Sequence, residues 1–179
     1  MPSPAALRIA LVSEHASPLA TLGGTDAGGQ NVYVMEVARA LAARGHSIDV
    51  LTRRDDPHLP AAVELLPGVR VLHIDAGPAA AVPKEALLPH MDAFGDAAEA
   101  LCRHGAPYDV VHANFFMSGL AGLRVQNRSG VPLVMTFHAL GLVRREHQAS
   151  ADAFPPARTN IERALVRRAD RVIAECPQD

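Results

Sequence analysis

Residues 8–45 read RIALVSEHASPLATLGGTDAGGQNVYVMEVARALAARG and show the chain's structural pattern in its simplest form. Residues 8–13 are a short apolar run, which predicts a buried strand. Beyond a glycine-rich loop, apolar residues recur at helical spacing and Gly45 stands where a helix commonly ends; the apolar positions are Val32, Met35, Val37, Ala38 and Leu41. A strand, a glycine-rich loop and an amphipathic helix in this order predict the first unit of an α/β fold.

The same alternation continues to the end of the chain. Apolar runs predict strands at residues 47–52, 69–74, 109–113, 132–137 and 171–174. Helical patterns fall at about residues 84–104, 118–128 and 157–169, and proline-containing loops are expected at 55–68 and 138–156. Apolar strands that alternate with helices favour a parallel sheet covered on both faces. We therefore predict a Rossmann-like, doubly wound α/β domain, in which ligands bind outside the carboxyl ends of the strands.

The composition excludes several classes of function. A net charge of −2 over 179 residues provides no basic surface for nucleic acid. The apolar runs are too short for a transmembrane segment, and Cys102 and Cys176 do not have the spacing of a metal site. We expect a cytoplasmic protein with small-molecule ligands.

The glycine-rich loop, residues 23–31 (GGTDAGGQN), is the strongest candidate for a binding site. Glycines allow a ligand to approach the backbone closely, and the following helix offers free N–H groups and a positive dipole to an anion. The loop lacks the Gly-x-Gly-x-x-Gly of dinucleotide enzymes, and it has Gly29-Gln30 where a phosphate-binding P-loop requires Lys-Ser/Thr. Asp49 also lies inside the second predicted strand rather than at its end, which further disfavours an NAD-dependent oxidoreductase. A turn without a ligand is the remaining alternative.

The run His15-Ala16-Ser17-Pro18-Leu19, followed by GGTDAGGQNVYV at residues 23–34, resembles the N-terminal domain of glycosyltransferase family 4. Within this family it is most similar to the group of sucrose synthase, sucrose-phosphate synthase and D-inositol-3-phosphate glycosyltransferase. Weaker matches follow in the family's order at 40–46 (ALAARGH), 52–54 (TRR), 111–114 (VHAN), 118–119 (SG), 136–141 (TFHALG) and Arg158-x3-Glu162.

The resemblance implies a two-domain GT-B fold, with residues 1–179 as the acceptor-side half. The nucleotide-sugar half is expected to be absent, since no pair of glutamates eight residues apart occurs here. The implied reaction moves a hexosyl group, with retention and without metal or cofactor, from a UDP-, GDP- or ADP-sugar to a sugar, sugar phosphate or related acceptor. The fragment alone is expected to be inactive, a homodimer is compatible with the family, and a position at the inner membrane is expected only for a lipid acceptor.

The resemblance also assigns residues to the cleft. Gly28 and Gly29 are expected to approach the donor diphosphate, and Asn31 to face the acceptor. His138, at the end of the fifth predicted strand, is the expected catalytic residue. The other cleft candidates are His15, Gly24, Asp26 and His112. The structural alternatives are a solvated first-turn residue for Asn31 and packed core histidines for His138 and His112.

Acceptor binding is expected from Lys84, Phe115 and Arg158. Lys84 is the single lysine beside sixteen arginines, and it aligns with a lysine that holds the acceptor phosphate in the inositol-phosphate enzyme. That enzyme has tyrosine at Phe115 and threonine at Ala139, so two hydroxyl groups are missing here and inositol phosphate is disfavoured. For Arg158 the alternative is a pair with Glu162 on the helix surface. For the whole chain the alternative is a non-catalytic carbohydrate- or nucleotide-binding module.

Overall fold

A computed structural model describes residues 5–20, 28–148 and 152–175. Within these ranges the strands form one sheet in the order β3-β4-β2-β1-β5-β6-β7. The strands are β1 (Arg8–Val12), β2 (Ser47–Arg53), β3 (Ala62–Leu66), β4 (Val69–Ile74), β5 (Val110–Asn114), β6 (Leu133–Thr136) and β7 (Arg171–Ile173). The helices are α1 (Gly29–Ala42), α2 (Met91–His104), α3 (Phe116–Ser129), α4 (Gly141–Gln148) and α5 (Arg158–Arg168).

The sheet confirms the prediction of a Rossmann-like, doubly wound domain. From β1 the chain passes to β2 on one side, whereas from β5 it passes to β6 on the other, so the strand order reverses between β1 and β5. α1 packs on the cluster around Leu11, Val34 and Val50, and α2 and α3 cover the opposite face. The carboxyl ends of β1 and β5 therefore flank the crevice where such folds bind ligands.

The sheet is not wholly parallel, because β3 pairs antiparallel with β4. We predicted a loop over residues 55–68 on account of its prolines, and this was wrong for β3. Pro67 and Gly68 form the tight turn between the two strands, with Gly68 at a φ of 83°. A two-residue connection permits only antiparallel pairing, and proline followed by glycine suits a turn that needs a positive φ at its second central residue.

Two helices also differ from expectation. α4 lies in the predicted loop of residues 138–156. Its apolar residues Leu142 and Val143 are about half exposed, so they do not mark a buried helix face in the sequence. α2 begins at Met91 instead of near Lys84, after two short 3₁₀ turns. Pro89 lies in the second of these turns, and proline inside an α-helix would remove a hydrogen bond and clash with the preceding turn.

α3 approaches its neighbours closely through two glycines. A Cβ added to Gly119 would lie 2.6 Å from Leu165 Cδ1 of α5, and one added to Gly122 would lie 2.6 Å from Leu133 Cδ1 of β6. No real Cβ comes this near to a carbon atom, so the glycines set the distance of α3 from the sheet and from α5. α3 starts directly after β5, and this packing therefore fixes one side of the crevice.

Candidate active site

The start of α1 is built around Asn31. Its Oδ1 accepts the N–H of Gly28 at 3.0 Å, and its Nδ2 donates to the carbonyl of Ser17 at 2.9 Å. The residue is 5% exposed, so it is not the solvated first-turn side chain of the alternative interpretation. Asn31 caps the helix and ties it to the segment after β1. Its contact with an acceptor stays a prediction.

Gln30 connects the same helix start to both strands of the crevice. Its Nε2 donates to Ser13 Oγ at 3.1 Å and to the carbonyl of Asn114 at 3.3 Å. Ser13 follows β1 directly and Asn114 is the last residue of β5. The N-terminus of α1 is thereby held over the point where the strand order reverses.

Gly28 and Gly29 lie exposed at this helix start. Gly28 has extended backbone, with φ −137° and ψ −168°, and a Cβ at either glycine would meet no atom of the described chain within 4 Å. Among the described residues the space beside them is therefore open. Asn31 accepts the N–H of Gly28, so the N–H groups of Gly29 and Gln30 are those that the helix start can offer to a ligand. This arrangement suits an anion. Gly24 and Asp26, the other candidates of this loop, lie outside the described residues.

His138 follows β6 in a left-handed conformation, with φ 61°, and the N–H of Ala139 reaches back to the carbonyl of Phe137 at 2.7 Å. Its Nε2 is hydrogen-bonded to Asn114 Oδ1 at 3.1 Å, and its Nδ1 lies 3.0 Å from Glu175 Oε2. The ring of Tyr33 meets the imidazole edge to face at 4.9 Å. Both ring nitrogens are therefore engaged by side chains of the site.

Phe115, directly after β5, is more strained than His138. Its φ of 81° and ψ of 158° belong to a region that is almost reserved for glycine. Its N–H donates to the carbonyl of Thr136 at 2.8 Å, which holds the backbone in place. Among the residues that the structure describes, Phe115 and His138 are the non-glycine residues with positive φ, and both lie at this edge of the sheet. Strain of this kind, costing about 1–3 kcal/mol per residue, clusters at functional sites.

His112 is buried between the two strands. Its Nε2 lies 2.9 Å from Thr136 Oγ1, which is also 3.3 Å from the hydroxyl of Tyr33. Burial, and secondarily the neighbouring His138, lower the pKa of His112 to about 4. The ring is therefore neutral near pH 7. In this structure His112 supports Thr136 and Tyr33 beneath the crevice.

Arg158 is not on the helix surface, since it is 1% exposed. Its Nε donates to Glu162 at 2.7 Å and its Nη2 donates to the carbonyl of Ala139, while the buried Nη1 has no partner in the described chain. The Cζ atom lies 4.6–5.0 Å from three phenylalanine ring centroids, those of Phe115, Phe116 and Phe154. Such contacts stabilise a buried cation. The predicted pair with Glu162 is present, but its placement on the helix surface was wrong because both side chains are buried. The role of Arg158 toward an acceptor stays a prediction.

Lys84 lies on the segment after β4, in the first 3₁₀ turn. Its Nζ is 3.5 Å from Glu85 Oε1, with a third of the side chain exposed. β4 is parallel to β2 and β1, so its carboxyl end lies on the same edge of the sheet as the crevice. This position is compatible with the predicted contact to an acceptor and does not test it.

Glu14 becomes a candidate residue only in the structure, through its contact with His15. Glu14 follows β1 with 1% exposure, and its Oε1 lies 2.7 Å from Nδ1 of His15. The sequence singled out His15 alone. The available signal was a carboxylate directly after a buried strand, at the edge where the ligand site was expected.

The described chain contains neither a metal cluster nor a membrane-spanning helix. No three histidine, cysteine, aspartate or glutamate side chains of residues 5–20, 28–148 and 152–175 come together as metal ligands. None of the helices described is both long enough and apolar enough to cross a membrane.

Comparisons with known proteins agree on one family. The model of the glycosyl transferase 4-like domain matches residues 28–179. D-inositol 3-phosphate glycosyltransferase 1 of Catenulispora acidiphila is 44% identical over 173 residues, which are 96% of this chain and 41% of that protein. The D-inositol 3-phosphate glycosyltransferase of Nocardiopsis dassonvillei is 45% identical over 170 residues, or 93% of this chain and 40% of that protein.

Among solved structures, sucrose-phosphate synthase from Thermosynechococcus elongatus matches with a TM-score of 0.90 and 34% identity. The match covers 96% of this chain and 43% of that one. The chain spans about two fifths of the length of the curated relatives it matches. The chain belongs to the glycosyl transferase 4-like family and has the fold of the N-terminal domain of a GT-B glycosyltransferase.

Proposed function

We propose that the protein to which this domain belongs transfers a hexosyl group from a nucleotide-sugar to a hydroxyl group of a sugar, sugar phosphate or related acceptor. The anomeric configuration is retained and no metal ion takes part. This chain forms the acceptor-side wall of the cleft. A second domain, which supplies most contacts to the nucleotide, forms the opposite wall; the length of the relatives supports this division.

The observation that carries the proposal is the open N-terminus of α1. Gln30 ties this helix start to Asn114, and Asn114 in turn contacts His138, so the anion site and the candidate catalytic residue belong to one connected crevice. When the bond between the anomeric carbon and the phosphate oxygen breaks, negative charge builds on the leaving diphosphate. Fixed N–H groups at a helix start stabilise that charge without reorganising. In other transferases a metal ion stabilises the same negative charge.

His138 acts on the sugar through its main-chain carbonyl. Both ring nitrogens already have partners, Asn114 and Glu175, and the left-handed backbone sets the direction of the carbonyl. A carbonyl oxygen carries partial negative charge, so it stabilises the positive charge that develops at the anomeric carbon. The acceptor oxygen then bonds to that carbon on the face that the phosphate leaves, and its proton passes to the departing diphosphate oxygen. Attack on this face retains the configuration.

The test uses the full-length protein and measures nucleotide release from UDP-, GDP- and ADP-sugars, with and without sugar phosphates. Gly28→Val should lower kcat/KM by at least about 100-fold, since the side chain fills the space where the diphosphate approaches. The domain should remain folded, because the backbone of Gly28 is extended and its surroundings are open. Ala40→Val, on an exposed turn of the same helix, is the matched control.

Retained activity in Gly28→Val would show that the loop is only a turn. Binding of a nucleotide-sugar without any nucleotide release, in the unchanged protein, would favour the non-catalytic binding module instead. The cytoplasmic location and the homodimer stay predictions from the sequence.

A further inference from the structure

Glu14 is a buried carboxylate that the proposed reaction does not use. Its N–H donates to Ser118 Oγ at 3.1 Å, and its carbonyl accepts the N–H of Arg53 at 3.0 Å. The main chain is thus fixed from two sides, by α3 and by the end of β2. A carboxylate at such a position is costly unless each oxygen has a partner.

Each oxygen of Glu14 does have one. Oε2 accepts a hydrogen bond from the hydroxyl of Ser118, and Oε1 faces His15 Nδ1 at 2.7 Å. Within the described chain, His15 is the basic side chain in ion-pair range of this carboxylate. The carboxylate is therefore buried with both oxygens engaged, whereas the imidazole of His15 is 11% exposed.

The contacts of His15 fix the orientation of its ring. Nδ1 faces a carboxylate, which only accepts hydrogen bonds, so Nδ1 carries the proton. The ring meets that of Phe115 edge to face at 5.1 Å, and Phe115 is itself locked by its strained backbone. Nε2 has no hydrogen-bond partner in the described chain, and the His15 side chain is 11% exposed beside Phe115.

We propose that Glu14 is a positioning residue that holds His15 in the Nδ1–H tautomer, so that Nε2 accepts a hydrogen bond from a hydroxyl group of the sugar acceptor. This inference rests on the proposed glycosyl transfer and adds one specificity contact to it. Carboxylates orient imidazoles in the same way in metal and hydrolase sites, by bonding the nitrogen that faces away from the ligand. In this tautomer of the neutral ring Nε2 is an acceptor, and a sugar hydroxyl group is a donor of matching chemistry.

The experiment compares Glu14→Met, Glu14→Gln, His15→Ala and the double variant Glu14→Met/His15→Ala in the full-length protein. Glu14→Met should raise KM for the acceptor about tenfold, the worth of one well-oriented hydrogen bond, and leave KM for the donor unchanged. Glu14→Gln keeps an oxygen that accepts from Nδ1–H, so KM for the acceptor should stay within about threefold. In the His15→Ala background Glu14→Met should have no further effect, because the residue acts through His15.

Glu36→Met, which removes an exposed carboxylate from α1, is the matched control, and urea unfolding of every variant separates misfolding from mispositioning. Equal losses toward donor and acceptor, or a full additional loss in the double variant, would overturn the positioning role. If the unchanged protein releases no nucleotide from any donor, the proposed function fails. The pairing of Glu14 with His15 is then tested by ¹⁵N NMR of the His15 ring. Glu14→Met should shift the ring away from the Nδ1–H tautomer, and an unaltered tautomer would refute the pairing.

Discussion

Replacing His112 by asparagine should change how the stability of the chain depends on pH. The ring is 7% exposed, and burial, followed by the nearby His138, lowers its pKa from 6.5 to about 4. Between these two values the unfolded chain binds a proton that the folded chain does not bind. The stabilising contribution of the neutral ring is therefore complete above the unfolded pKa and is lost as the pH falls through this window.

The size of this effect follows from the two pKa values. A difference of about 2.5 units, at about 1.4 kcal/mol per unit, is worth roughly 3 kcal/mol, most of it lost by about pH 4.5. Other groups also titrate over this range, so the wild-type chain must be compared with a variant that lacks only this imidazole. Asparagine keeps a neutral polar side chain beside Thr136 but has no titrating group.

Urea unfolding at about pH 7.5 and about pH 4.5 measures the difference in unfolding free energy between wild type and His112→Asn. The unfolding free energy of wild type relative to His112→Asn should fall by about 2–3 kcal/mol between these two pH values. His104→Asn, at the exposed end of α2, shows how much the loss of an exposed imidazole contributes. A wild-type advantage that stays constant within about 0.5 kcal/mol would refute the assignment of His112 as a buried neutral ring.

Two further changes test the packing around the crevice. Gly119→Ala should destabilise the fold by about 1–3 kcal/mol in urea unfolding, since its Cβ meets Leu165. The control Gly95→Ala should be near neutral, because its Cβ meets the flexible side chain of Arg124. Equal effects of the two substitutions would contradict the close approach of α3. Arg158→Met should cost about 3–5 kcal/mol, because it leaves the buried carboxylate of Glu162 without its cation. Most of this loss should return in Arg158→Met/Glu162→Met, and an undiminished loss in the double variant would argue against a buried pair.

The elements with strong periodic patterns could be predicted from the sequence, and those without them could not. β4 was predicted at its observed bounds, because an apolar run bounded by turn residues is typical of a buried strand. β3 is a short run of five residues between Pro60 and Pro67, and these prolines indicated a loop more strongly than the run indicated a strand. Within the described sheet it pairs with β4. α4 is only eight residues long, and its apolar residues Leu142 and Val143 are adjacent and about half exposed, so no apolar spacing extends over several turns.

The location of the candidate site could also be predicted from the sequence, but its contacts could not. Its location follows from strand order, so residues directly after β1, β5 and β6 could be singled out from the sequence. The contacts made within the site could not be predicted, because they join distant residues. Glu14 meets Ser118 across 104 positions, and Arg158 meets the carbonyl of Ala139 across 19. Side-chain partners of this kind depend on tertiary packing, which periodicity does not encode.

The ring of Tyr33 provides an optical probe of the crevice. The chain has no tryptophan and two tyrosines, so its near-ultraviolet absorption and emission are dominated by Tyr33 and Tyr108. Tyr108 is buried and donates to the carboxylate of Asp49 at 2.8 Å, an arrangement that quenches emission by accepting the phenolic proton in the excited state. Tyr33 meets His138 edge to face and reaches Thr136, so a ligand that enters the crevice should change the surroundings of the brighter ring. Ligand titrations of this domain can therefore be followed by its own fluorescence, without a label.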